Sequence, residues 1–112
     1  SRRHAMTAAI ALATLLAVAA PAEAEPADAF ACRALARTTP ETGAWWTIYY
    51  GERERTVGNG EDVLEWTREV RCFTSEDACH AWIDWARGVW PERGFARPCR
   101  PGLPPWLQGP ET

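Results

Sequence analysis

Trp45-Trp46-Thr47-Ile48-Tyr49-Tyr50 decides the fold, because six consecutive aromatic and β-branched residues fit a pleated, half-buried surface. Val63 to Phe73 is a second run of the same kind. Between them Gly58-Asn59-Gly60 tolerates positive φ, so the two runs read as a β-hairpin over about 45–57 and 62–73. Register settles which side chains share a face, since a slip of one residue exchanges the two faces. A three-residue loop at 58–60 sets Val57 opposite Glu61, Ile48 opposite Val70 and Trp46 opposite Cys72, so apolar meets apolar. A two-residue Asn59-Gly60 turn would set Ile48 against Arg71. The three-residue loop is therefore expected. It gathers Trp46, Ile48, Tyr50, Leu64, Trp66, Val70 and Cys72 on one face, with Arg68 as the single polar intruder. Trp45, Thr47, Tyr49, Glu69, Arg71 and Phe73 fall on the other.

Downstream, Thr74-Ser75-Glu76-Asp77 combines a capping hydroxyl with acidic residues in a first helical turn, and predicts a helix over about 75–89. Its apolar arc of Ala78, Cys79, Trp82, Ile83, Trp85, Ala86 and Val89 needs a sheet to pack on, and the more apolar Trp46/Ile48/Tyr50 face is the expected one. Gly88 loosens the last turn and Pro91 ends the pattern. A short extra strand is expected near 95–99. Another is expected near 30–36, where Phe30, Cys32 and Ala34 alternate, although the Ala-rich composition also suits a helical turn. Pro101-Gly102-Leu103-Pro104-Pro105-Trp106 favours extended polyproline-like conformations, giving a Pro-rich tail over about 100–112 tethered mainly through Cys99. The fold class is α+β: a small disulfide-bonded domain with a hairpin packed on one helix.

A chain of 112 residues holds one domain of this kind. Its first segment has a different character: Arg2-Arg3-His4 precedes fifteen uncharged residues, Met6 to Ala20, and Ala22-Glu23-Ala24 follows the helix-breaking Pro21. That order of positive, apolar and small-residue segments is expected of a signal peptide over 1–24, cleaved near Ala24, leaving a domain at 25–112 that is periplasmic or extracellular. An uncleaved anchor would need a longer and less Ala-rich span. Cys32, Cys72, Cys79 and Cys99 are even in number and contain no C-x-x-C, which suits disulfides of an oxidising compartment and not a redox motif. Four cysteines allow three pairings. Cys32–Cys72 with Cys79–Cys99 is preferred because it pins both ends to the hairpin and helix; a local Cys72–Cys79 link is the rival. A zinc site through Cys79 and His80 is disfavoured, as adjacent helical residues point about 100° apart. No metal and no cofactor is expected.

Beyond residue 24 there are ten Arg and no Lys against fourteen Asp and Glu, a balance of −4, which argues against a nucleic-acid partner. The membrane is involved only through the export signal. No motif names a catalytic residue. His80 is the one histidine of the domain and falls on the polar side of its helix, while Glu65 and Glu69 lie roughly 13 Å apart along a strand, beyond the about 5–9.5 Å of a glycosidase pair. The seven tryptophans are the feature that asks for a function. If the helix covers the Trp46 face, then Trp45, Tyr49, Glu69, Arg71 and Phe73 form an aromatic strip rimmed by charges, a candidate surface for a protein partner or for stacking on cell-wall glycan. The competing expectation is that this face is covered by the N-terminal strand or the Pro-rich tail. The expected function is a non-catalytic binding or protein-interaction module of an exported bacterial protein. Inhibition of a cell-envelope enzyme is the alternative, and a small envelope hydrolase a more remote one.

Overall fold

The protein is described by a computed structural model covering residues 24–107; the expected export signal and the last residues of the tail lie outside the described residues. Gly58-Asn59-Gly60 closes the hairpin as a three-residue loop. Gly60 adopts φ 85°, the Val57 amide donates to the Glu61 carbonyl at 2.8 Å, and the Asn59 side-chain oxygen accepts from the Glu61 amide at 3.0 Å. The strands on either side are β1 (Trp45–Thr56) and β2 (Asp62–Phe73), in the expected register, with Trp46 opposite Cys72 and Ile48 opposite Val70.

The other edge of β1 is filled in two pieces. β3 (Glu92–Ala96) pairs with β1 from Tyr49 to Glu52, and β4 (Arg100–Pro101) pairs with Trp45 and Trp46, so a four-stranded antiparallel sheet forms with β1 inside it. Between the two pieces the Arg97 amide donates to the Ile48 carbonyl at 2.9 Å, and the buried Thr47 hydroxyl donates to the Arg97 carbonyl at 2.7 Å. The extra strand expected at 95–99 therefore begins earlier, at Glu92. After Arg97 the chain leaves the edge of β1 at Pro98 and Cys99, where Cys99 bonds to the helix.

Ser75 caps the longest helix among the described residues: its hydroxyl accepts from the Ala78 amide at 3.1 Å, with Glu76 and Asp77 in the first turn and Arg87 in the last. This helix spans Glu76–Val89. A shorter helix, α1 (Cys32–Ala36), stands where a strand was preferred, and makes the long helix α2. Only Phe30 pairs with the sheet, through two 2.9 Å hydrogen bonds with Cys72. The buried residues of this segment are Cys32 and Leu35, three apart, which is the spacing of a helix face and not the alternation of a strand.

The disulfides are Cys32–Cys72 and Cys79–Cys99, with Cα–Cα separations of 4.8 and 6.2 Å. The first ties α1 to the end of β2; the second ties α2 to the link between β3 and β4. In a domain of this size each contributes about 2–4 kcal/mol.

The register is as expected, but the helix covers the opposite face. α2 packs on Tyr49 and Phe73, whose side chains are fully buried with Cys79, Trp82, Ile83 and Ala86. α1 and the Pro-rich tail cover one end of the other face, where Cys32, Leu35, Ala44, Cys72 and Leu103 form a second, smaller core bordered by Trp46 and Val70. The sheet is thus a middle layer with a cover on each side.

Candidate functional site

Tyr49 and Phe73, two members of the strip expected to face a ligand, are 0% exposed beneath α2, and Trp45 is half-buried against the same core. Rings explain the choice of face. Trp82 meets Tyr49 edge-on with centroids 6.3 Å apart and Phe73 at 6.0 Å, so the helix brings its largest ring down between two others. Gly51, next in line on that face, leaves room for Trp90. The polar members of the strip are occupied internally. Arg71 donates to Glu69 at 2.8 Å and to Glu25 at 2.9 Å, Thr67 donates to Glu69 at 3.2 Å, and the Trp82 indole donates to the same Glu25 oxygen at 2.7 Å. The expected strip is brought together by the structure, but as core and its hydrogen-bonded rim.

Burial pushes the Tyr49 phenol up from its ordinary value, with Arg87 pulling weakly the other way. Its hydroxyl donates to the Trp90 carbonyl at 2.7 Å. Further out on this face Glu65 accepts hydrogen bonds from Arg53 and Arg55, which hold its carboxyl below the ordinary value. These carboxylates are structural partners of arginine, not a free acid–base pair. His80 is exposed, 3.3 Å from Glu76 on the same helix and 3.9 Å from the disulfide-bonded Cys99 sulfur, and makes no hydrogen bond to a serine, threonine or free thiol among the described residues. Among the described residues no three His, Cys, Asp or Glu side chains converge as a metal would require.

The other face carries the candidate site. Among the described residues Leu64, Trp66, Phe95 and Trp106 are the large hydrophobic residues left exposed, at 55, 74, 57 and 57%, and all four lie on the side of the sheet away from α2. Leu64 and Trp66 alternate along β2 in phase with Arg68 and Val70. Phe95 of β3 lies against Tyr50 of β1 at 6.2 Å, and Trp106 of the tail meets Trp46 edge-on at 5.5 Å.

Two hollows adjoin there. One, of about 270 Å3, is walled by Trp46, Tyr50 and Trp106 with Arg68, Arg97 and Arg100 around it. The other, of about 360 Å3, lies between α1 and β2 and is lined by Arg33, Val70 and Leu107, sharing Arg68 and Trp106 with the first. Arg53, Arg55, Arg71, Arg87 and Arg93 each have a carboxylate within 4.0 Å, whereas Arg33, Arg68, Arg97 and Arg100, and Arg37 away from the hollows, have none among the described residues.

Part of this site was marked in the sequence. Arg68 stood out as the one charge among the apolar positions of its face, whereas Trp106 was only one of seven tryptophans, in a tail expected to be extended. Arg97 and Arg100 carried no signal, because they reach the hollow only through the pairing of the β3–β4 segment along β1. The chain matches no protein-family model, no curated protein and no solved structure.

Proposed function

We propose that the protein is an exported, non-catalytic binding module whose working surface is the sheet face opposite α2. The observation that carries this reading is the segregation of exposed rings and aliphatic side chains. Leu64, Trp66, Phe95 and Trp106 share one face of a domain whose other rings are covered to half or more. Scattered exposed hydrophobics need no explanation, but several on one face, bordered by arginine, mark an interaction surface. Two disulfides fit an oxidising, extracytoplasmic compartment, in keeping with an export signal over 1–24. The absence of a nucleophile beside His80, and the engagement of Glu65 and Glu69 with arginine, favour binding over hydrolysis.

The test is retention of envelope proteins and of cell-wall glycan by the immobilised, oxidised domain, wild type against Trp66→Ser/Trp106→Ser. Both rings are exposed, so the double variant should keep the wild-type melting temperature and lose the retained partner. Equal retention by the two proteins would remove this face from the function.

A further inference from the structure

The binding face is not electrically neutral. In a domain with a formal balance of −4 beyond residue 24, Arg33, Arg68, Arg97 and Arg100 lie along one pair of adjoining hollows without a carboxylate partner among the described residues, while Glu25, Glu52, Glu65 and Glu69 are spent on other arginines. Guanidinium groups left unpaired around a concave aromatic wall offer planar, bidentate donors to an anion. Trp106, 57% exposed, supplies a flat apolar ring at the same place, with Trp46 packed edge-on beside it. Because the two hollows share Arg68 and Trp106, they form one groove with cations at intervals and a ring between them.

We propose that this groove binds a carboxylated glycan, a linear chain of sugar rings bearing carboxylates, with Trp106 against a ring face and Arg33, Arg68, Arg97 and Arg100 on the acid groups. This rests on the reading of the face as a binding surface and specifies its ligand. A neutral sugar would leave four desolvating cations uncompensated. An acidic polypeptide is favoured less, because an extended peptide takes most of its affinity from backbone pairing at a sheet edge. The hollow walled by Trp46, Tyr50 and Trp106 instead lies over the face of β1, whose backbone is paired with β2 on one side and with β3 and β4 on the other. A nucleic acid would meet too few cations on a domain that is acidic overall.

Tryptophan fluorescence of the oxidised protein, titrated with oligogalacturonate, with its methyl-esterified form and with poly-glutamate of matched charge, tests the assignment. Saturable quenching is expected with oligogalacturonate, weakened about tenfold or more by esterification, and no saturable change with poly-glutamate. Arg68→Gln and Arg100→Gln should each weaken oligogalacturonate binding about tenfold at unchanged melting temperature. Equal affinity for the esterified chain would overturn the role of charge while leaving an aromatic binding face intact. Equal or tighter binding of poly-glutamate would make the ligand an acidic polypeptide. No response to any of the three, in a protein that still retains a partner through Trp66 and Trp106, would overturn the glycan assignment and spare the broader function.

Discussion

The Tyr49 hydroxyl donates to the Trp90 carbonyl at 2.7 Å, joining the middle of the central strand to the residue that ends the long helix. Trp90 holds a second contact through its ring, over which the Arg53 guanidinium lies at 4.0 Å. Sheet and helix are thereby fixed to each other at one residue by a buried hydrogen bond and a cation–π contact.

Tyr49→Phe keeps the ring against Trp82 and removes only the donor, so a loss of about 1–2 kcal/mol is expected in chemical denaturation. The variant should also change the pH profile. Burial raises the folded phenol above its ordinary value of about 10, so the folded domain holds a proton that the unfolded chain releases. Stability from this group is complete below about pH 10 and is lost as pH rises through the folded value. Between about pH 9 and 11 the wild type should lose more stability than the phenylalanine variant. Parallel curves would show that the phenol is not held protonated by the fold.

Gly51 and Gly94 flank that same tyrosine. A Cβ on Gly51 would stand 2.7 Å from the Tyr49 ring and 2.8 Å from the Trp90 Cβ, and one on Gly94 would collide with the Tyr49 hydroxyl. Replacing a strand glycine by alanine ordinarily helps, since it removes unfolded-state entropy. Here Gly51→Ala and Gly94→Ala should each cost about 1–3 kcal/mol. Gly88→Ala, in the last turns of α2 with open space around it, should instead gain about 0.5–1 kcal/mol. Thermal melts of the three variants separate the effects by sign.

The hairpin, its loop and its register were legible because each is local: Gly58-Asn59-Gly60 fixes the turn, and the turn fixes every pair from Val57/Glu61 to Trp45/Phe73. The face that receives α2 was not. Counting apolar positions favoured the Trp46/Ile48/Tyr50 side, but α2 covers only the end of the hairpin around Trp45, Tyr49 and Phe73. There the fit of Trp82 between Tyr49 and Phe73 outweighs the Leu64 and Trp66 lying further along the strand. Glu69 and Arg71 looked like an exposed rim because Glu25, which completes their network, is more than forty residues away in sequence. The cleft was hidden for the same reason: Arg68, Arg97 and Trp106 meet only in three dimensions.

β2 is an edge strand, and hydrogen exchange should report it. Cys72 exchanges both backbone hydrogen bonds with Phe30, so its polar groups face away from β1, and by alternation so do those of Val70, Arg68, Trp66 and Leu64. Their amides should exchange rapidly, while those of Glu69, Thr67, Glu65 and Val63, bonded to β1, stay protected. Uniform protection along β2 in a dilute sample would mean that a further strand, such as a second copy of the chain, pairs with this edge.

The two disulfides should not be equivalent. Closing a loop twice as long removes about 0.6 kcal/mol more from the unfolded ensemble, and the Cys32–Cys72 loop separates its cysteines by 40 residues against 20 for Cys79–Cys99. Cys32→Ala/Cys72→Ala should therefore lower stability slightly more, with each pair costing about 2–4 kcal/mol. The local consequences differ in kind. Without Cys32–Cys72, α1 keeps only the Phe30 bridge and the small core beneath Leu35 to hold it to the sheet. Without Cys79–Cys99, the segment carrying Arg97 and Arg100 is released from α2, although β3 remains paired with β1. Loss of the second disulfide should thus weaken oligogalacturonate binding further than its effect on stability implies, because it loosens the segment that carries two of the four groove arginines, which pairing with β1 alone then holds. A Cys79→Ala/Cys99→Ala protein that is folded at the assay temperature and binds with wild-type affinity would show that this disulfide does not position the groove.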